Sequence, residues 1–196
     1  MRRAEVARQT KETRIEIALD LDGPGRAEID TGIGFLDHML AHVARHGHFD
    51  LRVVAKGDLE VDGHHTAEDV GICFGKAFSQ ALGASEGLTR FGHAVVPMDE
   101  ALVEVAVDLS GRPFFVFQAA LPKVSLGGFD AELAEEFFRA FAMNARTTLH
   151  MILRHGSNVH HCIEGLFKAF GKALAQAAQL NPRVQGVPST KGTLDT

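Results

Sequence analysis

Tryptophan and tyrosine are both absent from these 196 residues, and cysteine occurs only twice. Fourteen phenylalanines supply the aromatic bulk instead, and at helical spacing they suit a core or a subunit interface better than a base-stacking platform. Cys73 and Cys162 lack the CxxC spacing of a zinc knuckle and fall inside helical patterns, so they are expected to be reduced, packed thiols. No stretch of about eighteen apolar residues occurs, and the opening MRRAEVARQTKETR has no apolar signal core. Membrane insertion and secretion are therefore not expected, and a cytoplasmic location is. A net charge of -5 without a dense Lys/Arg stripe argues against nucleic acid as a partner.

What the chain does have is an internal repeat. His64-His65-Thr66-Ala67-Glu68 recurs as His160-His161-Cys162-Ile163-Glu164, and FGKAF from Phe74 to Phe78 recurs as FGKAL from Phe170 to Leu174. The offset is about 96 residues throughout, roughly half the chain, which implies a duplicated and fused module. The expected division is 1–92 and 93–185, each carrying one copy of the motif, with a tail at 186–196. At 45% hydrophobic residues and a mean hydropathy of +0.01, the chain can bury a real core.

Both motifs open helices, because Val70, Cys73, Phe74, Ala77, Phe78 and Ala81 recur at three- and four-residue intervals, as do Leu166, Phe167, Phe170, Ala173, Leu174 and Ala177. On a helix His64 and Glu68 share a face, while His65 lies about 100° round the axis. One ion cannot easily take both neighbouring histidines. The spacing predicts two metal sites, one anchored by His64 with Glu68 and one by His160 with Glu164, with His65 and His161 each delivered to the ion anchored by the opposite repeat. Imidazole and carboxylate without thiolate suit Mn, Fe, Co, Ni or Zn. His38, in GFLDHML, is the best further ligand. His46, His48, His93 and His155 carry no pattern, and His150 alternates with Leu149 and Met151 in a strand, where a structural role is the default.

Elsewhere Ile15 to Leu21 alternate as a strand, Phe35 to Val43 read as a helix, and Phe49 to Val54 and Leu59 to Val61 as strands. The second half echoes this with strands at Val103 to Leu109, Phe114 to Phe117 and Leu149 to Leu153. A helix is expected over Asp130 to Met143 with Asp130 as N-cap, and the second motif helix over Asn158 to Leu180. The balance predicts an α+β class. Lys168, one helical turn after Glu164, places a positive charge beside a metal ligand, and Arg90, Arg112, Ser189 and Lys191 are further candidates for holding an anionic group.

GFLDHML, DGHHTAEDVGI, RFGHAVVPMDEAL, DLSGRP, NVHHCIEGLFKAFGKAL and the closing PSTKG together resemble imidazoleglycerol-phosphate dehydratase over nearly the whole chain. The resemblance implies the conversion of imidazole glycerol phosphate to imidazole acetol phosphate and water, in histidine biosynthesis, with two manganese ions per active site. It implies four-stranded sheets with helices packed between them (ribosomal protein S5 domain 2-like), in a homo-oligomer of 24 subunits with active sites where subunits meet. By matching motifs, His38, His64, His65, Glu68, His160, His161 and Glu164 correspond to metal ligands, and Arg90, Arg112, Lys168, Ser189 and Lys191 to the phosphate site. Glu12 and Asp99 match active-site acids, and Glu12 and Glu164 are the expected proton carriers. The implied chemistry runs through a metal-bound imidazolate form of the substrate ring that expels the adjacent hydroxyl. Two positions depart from the pattern. Glu136 stands where a ligand histidine is expected, and His42 where a glutamine that approaches the substrate is usual. A di-metal phosphoester or amide hydrolase would use similar His/Glu sets, but not these motifs in this order.

Overall fold

Alternation along the strands decides which face of each sheet is buried. In β2 (Thr13–Asp20) Ile15, Ile17 and Leu19 point inward and are buried, and the residues between them face out. β2 pairs antiparallel with β1 (Arg3–Gln9) on one side and with β4 (Asp50–Gly57) on the other. β3 (Ala27–Asp30) runs parallel to β4, and the crossover between them is helix α1 (Gly34–Gly47). The resulting order is β1-β2-β4-β3, after which the chain enters α2 (His64–Leu82).

The second half repeats this plan. β5 (Phe91–Met98), β6 (Ala101–Asp108), β7 (Phe114–Gln118) and β10 (Thr148–His155) form a sheet of order β5-β6-β10-β7, with β7 parallel to β10. Its crossover helix is α3 (Leu133–Ala145), and α4 (Val159–Ala178) follows β10. A two-stranded ribbon, β8 (Ser125–Leu126) with β9 (Phe129–Asp130), is inserted before α3 and has no counterpart in the first half. This is a computed structural model, and it describes residues 1–194. Two residues of the 186–196 tail, Asp195 and Thr196, lie outside the described residues.

The two modules are joined by exchanged helix contacts. α2 packs on β1 and β2 of its own sheet but crosses α3 of the other module, while α4 packs on β5 and β6 but crosses α1. Both crossings are closed by repeated glycines: a Cβ on Gly75 would sit 2.6 Å from the Phe141 carbonyl oxygen, and one on Gly171 would sit 2.8 Å from that of Val43. Four helices therefore fill the space between two sheets. Their contact is largely phenylalanine, with ring centroids 5.1 Å apart for Phe74–Phe141, 4.5 Å for Phe138–Phe167 and 4.8 Å for Phe141–Phe170. Such pairs contribute about 0.5–1.5 kcal/mol each beyond area burial, and without Tyr or Trp this core has no polar ring atom to satisfy.

Two sequence expectations change. Leu59–Val61 is a turn, because β4 ends at Gly57 and the chain must reverse before Gly63 to start α2. Asp130 ends β9 rather than capping a helix, and α3 begins at Leu133 with Glu132 at its N-cap. Cys73 and Cys162 are free and buried, and burial pushes the Cys73 thiol up to about 11. No helix among the described residues is long and apolar enough to cross a membrane.

Candidate metal centre

Helix α4 begins with a well-formed cap. The Asn158 side chain accepts from the backbone N–H of His160 (3.0 Å) and His161 (3.4 Å), which fixes the first turn. The rings then diverge as the helical period requires: His160 and His161 stand at 84° to each other with centroids 6.2 Å apart. The same divergence appears in α2, where His64 and His65 stand at 86° and 6.2 Å. α2 has no side-chain cap at Gly63, but the Asp62 carboxylate accepts from the His64 N–H at 2.7 Å.

His160 points to α1. Its Nε2 lies 2.9 Å from Oε2 of Glu164 on its own helix, and the same oxygen lies 3.2 Å from His38 Nε2 on α1. These three groups come from both halves of the chain, and their donor atoms all lie within 4.8 Å of one another, the one such group among the described residues. Two imidazoles and a carboxylate so placed fit a divalent transition-metal cation. Glu164 is 6% exposed, in contrast to His38 at 51%. Burial alone would raise the Glu164 pKa, but hydrogen bonds from Lys168 and His160 and the nearby His42 outweigh it and hold the carboxyl at about 2. Lys168 Nζ is 2.6 Å from Oε1, and His42 Nε2 is 3.2 Å from the same oxygen. Burial lowers the His42 pKa to about 4, leaving this ring neutral at pH 7. His42 and His46 continue the His38 face of α1, their rings stacked at 5.7 Å.

The outward-turned histidines are each braced by a carboxylate. His65 Nδ1 lies 3.0 Å from Asp58, and His161 Nδ1 lies 2.8 Å from Glu100. A partner on Nδ1 fixes the tautomer and presents Nε2, the arrangement expected of a ligating histidine. Both His pKa values are raised, chiefly by these hydrogen bonds, and Glu100 falls to about 2 through the His161 bond. Sequence reasoning missed Asp58 and Glu100, since neither shares a helical spacing with its histidine. It named Asp99, which lies 3.9 Å from His161 Nε2 in the β5–β6 turn and has a positive φ of 47°.

The remaining sites are spread more widely. Glu68 is half-buried on α2, and exposed Glu12 in the β1–β2 turn is close enough for its charge to raise the His65 pKa. Glu136 occupies on α3 the place of His38 on α1, each ten residues before a left-handed cap (Arg146 and His48). Its nearest cation is Arg139, at 3.8 Å. Arg90, at a positive φ of 73°, pairs with Asp108 (2.7 Å) and donates to the Pro188 carbonyl (2.8 Å), drawing in the tail that carries Ser189 and Lys191. Ser189 Oγ accepts from the Lys191 N–H at 3.2 Å, and Arg112 projects exposed from the Ser110–Pro113 turn. His150 faces out from β10 and stacks on Phe114, in one row with His93 across Ala106.

Residues 31–174 match the family model described as imidazoleglycerol-phosphate dehydratase. The chain belongs to the imidazoleglycerol-phosphate dehydratase family. It is thus a dehydratase, a hydro-lyase. Relatives named imidazoleglycerol-phosphate dehydratase are 58% identical in Symbiobacterium thermophilum, over 97% of this chain and 91% of the relative, and 56% identical in Desulfitobacterium hafniense, over 99% of both. Among solved structures, the Pyrococcus furiosus dehydratase in complex with (S)-C348 superposes with a TM-score of 0.82 at 39% identity, covering 96% of this chain and 99% of that one. The Staphylococcus aureus dehydratase gives 0.81 at 41%, covering 91% and 98%. These dehydratases share the two-module α+β plan described above.

Proposed function

We propose that this enzyme removes water from imidazole glycerol phosphate to give imidazole acetol phosphate, a step of histidine biosynthesis, in the cytoplasm and with two Mn²⁺ ions per active site. The observation that carries this is the buried Glu164 carboxylate held between His38 and His160, from helices of opposite modules, in a chain of the dehydratase family. His38, His160, His161 and Glu164 would hold metal, with His64, His65 and Glu68 supplying the matching set of the other repeat. Glu136 joins that set as a carboxylate where His38 has a nitrogen. Bound manganese supplies Lewis acidity toward the ring nitrogens of the imidazole.

The protein's own groups do the rest. Glu164, held ionised by Lys168 and His160, suits ligation, while exposed Glu12, close to His65, is the better carrier of the proton leaving the carbon next to the departing hydroxyl. The hydroxyl leaves with a proton as water, and the resulting enol becomes the ketone. Asp99, beside His161, is the second acid. Arg90, Arg112, Lys168, Ser189 and Lys191 orient the phosphate, and that orientation lowers the barrier by fixing the reacting carbons. Lys168→Ala is expected to raise KM for the substrate, and an unchanged KM would remove it from the phosphate site.

The outer face of the second sheet supports the reading of a homo-oligomer. Phe91 and Val95 on β5 and Phe114 on β7 are 57%, 55% and 59% exposed there, apolar side chains at the two edges of the sheet that suit contact with another copy of the chain. A homo-oligomer of 24 subunits, with active sites completed between subunits, would bring His65 and His161 to ions anchored elsewhere. Turnover of imidazole glycerol phosphate after chelation, and after Mn²⁺ is restored, tests the activity. Light scattering tests the assembly.

A further inference from the structure

The Glu164 carboxylate has two oxygens with different surroundings. Oε2 faces His38 and His160, the groups that fit a metal ion, at 3.2 and 2.9 Å. Oε1 faces away from them toward Lys168 at 2.6 Å and His42 at 3.2 Å. An ionised carboxylate offers about four lone-pair sites, and here four side chains stand round it, two on each oxygen.

His42 is one helical turn after His38 on the same face of α1, and the two rings meet edge-on at 70° with centroids 4.5 Å apart. Its Nε2 is 3.2 Å from His38 Nε2, a distance at which one nitrogen donates and the other accepts. With an ion on its lone pair, His38 Nε2 neither donates nor accepts, and Glu164 Oε1, 3.2 Å from His42 Nε2, is the acceptor left in range. We infer that His42 is a positioning residue: with metal bound, its Nε2–H donates to Glu164 Oε1 and holds the carboxylate with Oε2 turned to the ion.

This rests on the metal centre proposed above. Lys168 and His42 have separate tasks on Oε1 in this scheme. The lysine supplies charge, whereas the imidazole supplies a directional N–H from a ring that stacks on His46. Outer groups of this kind set the orientation and basicity of ligands, and their loss costs about tenfold or more in metal affinity.

The test uses the full assembled protein, stripped by chelation and titrated with Mn²⁺ while free Mn²⁺ is followed by EPR, together with melting of the stripped proteins and steady-state kcat and KM. His42→Leu removes the N–H and is expected to weaken Mn²⁺ binding about tenfold or more, with kcat falling at saturating substrate. His42→Gln, whose amide still donates at similar reach, is expected to bind Mn²⁺ close to the wild-type value. His42→Asn, too short to reach Oε1, is expected to follow leucine, and the Gln/Asn pair decides the matter if the leucine protein does not fold. Wild-type Mn²⁺ affinity in both the leucine and asparagine proteins overturns the inference, as does a loss of melting temperature with no change in affinity. A wild-type protein that binds no Mn²⁺ overturns the metal centre itself, a distinct result.

Discussion

The two motif helices have nearly the same backbone and different neighbours. Where α4 crosses α1, the side chains of His38, His160 and Glu164 gather around one point within a single chain. Where α2 crosses α3, the equivalent positions hold Glu136, His64 and Glu68, and Glu136 pairs with Arg139 instead. A glycine of the repeat closes both crossings, while the side chains round the glutamate differ: His38, His42 and Lys168 are matched by Glu136, Ala140 and Ile72. The two modules share a scaffold and differ in the side chains it presents.

Substitution can break this comparison. The largest effect is expected at the gathered site: Glu164→Gln should lower kcat and Mn²⁺ affinity more than any other substitution, because it removes the buried charge facing His38 and His160. Measuring Glu68→Gln beside it shows whether the α2 set carries equal weight. Next, His38→Ala should raise the Mn²⁺ Kd by about tenfold or more, and Glu136→Ala should raise it less. Equal losses would make the two sets equivalent in use despite their different side chains. At the crossings, Gly75→Ala and Gly171→Ala should each destabilise by about 1–3 kcal/mol, read from thermal melting, since each new methyl meets a backbone carbonyl.

A smaller contrast separates the outer faces of the sheets. The first presents charged pairs such as Arg3–Asp20 and Arg14–Glu16, and the second has exposed apolar side chains at both edges, Phe91 and Val95 on β5 and Phe114 on β7, with the Arg154–Glu104 pair between them. Val95→Asp should lower the assembly mass seen by light scattering, whereas Arg14→Ala should leave mass unchanged and alter stability by no more than about 0.5 kcal/mol.

Strong periodicity makes much of the fold legible in the sequence. β2, β6, β10 and the motif helices follow from runs such as Ile15-Ile17-Leu19 and Phe74-Ala77-Phe78, whose period states which face is buried. The edge strands are harder. β1 and β3 are mostly polar or half-exposed, and pairing holds them in place more than burial does. Leu59–Val61 misleads because three residues of strand-like composition lie where the backbone has to turn. In the site, a spacing of four residues is enough to place His160 with Glu164. The braces Asp58 and Glu100, and the approach of His42 to Glu164, depend on elements meeting in space, and no local spacing records that.

The most direct test of the central claim is turnover of imidazole glycerol phosphate by the assembled protein, first stripped of metal and then given Mn²⁺, beside the same series with His160→Ala. The account predicts no turnover when stripped, recovery with Mn²⁺ in the wild type, and little recovery in the variant, which should also bind less metal. Full activity in the stripped enzyme, or full recovery by the variant, would contradict it.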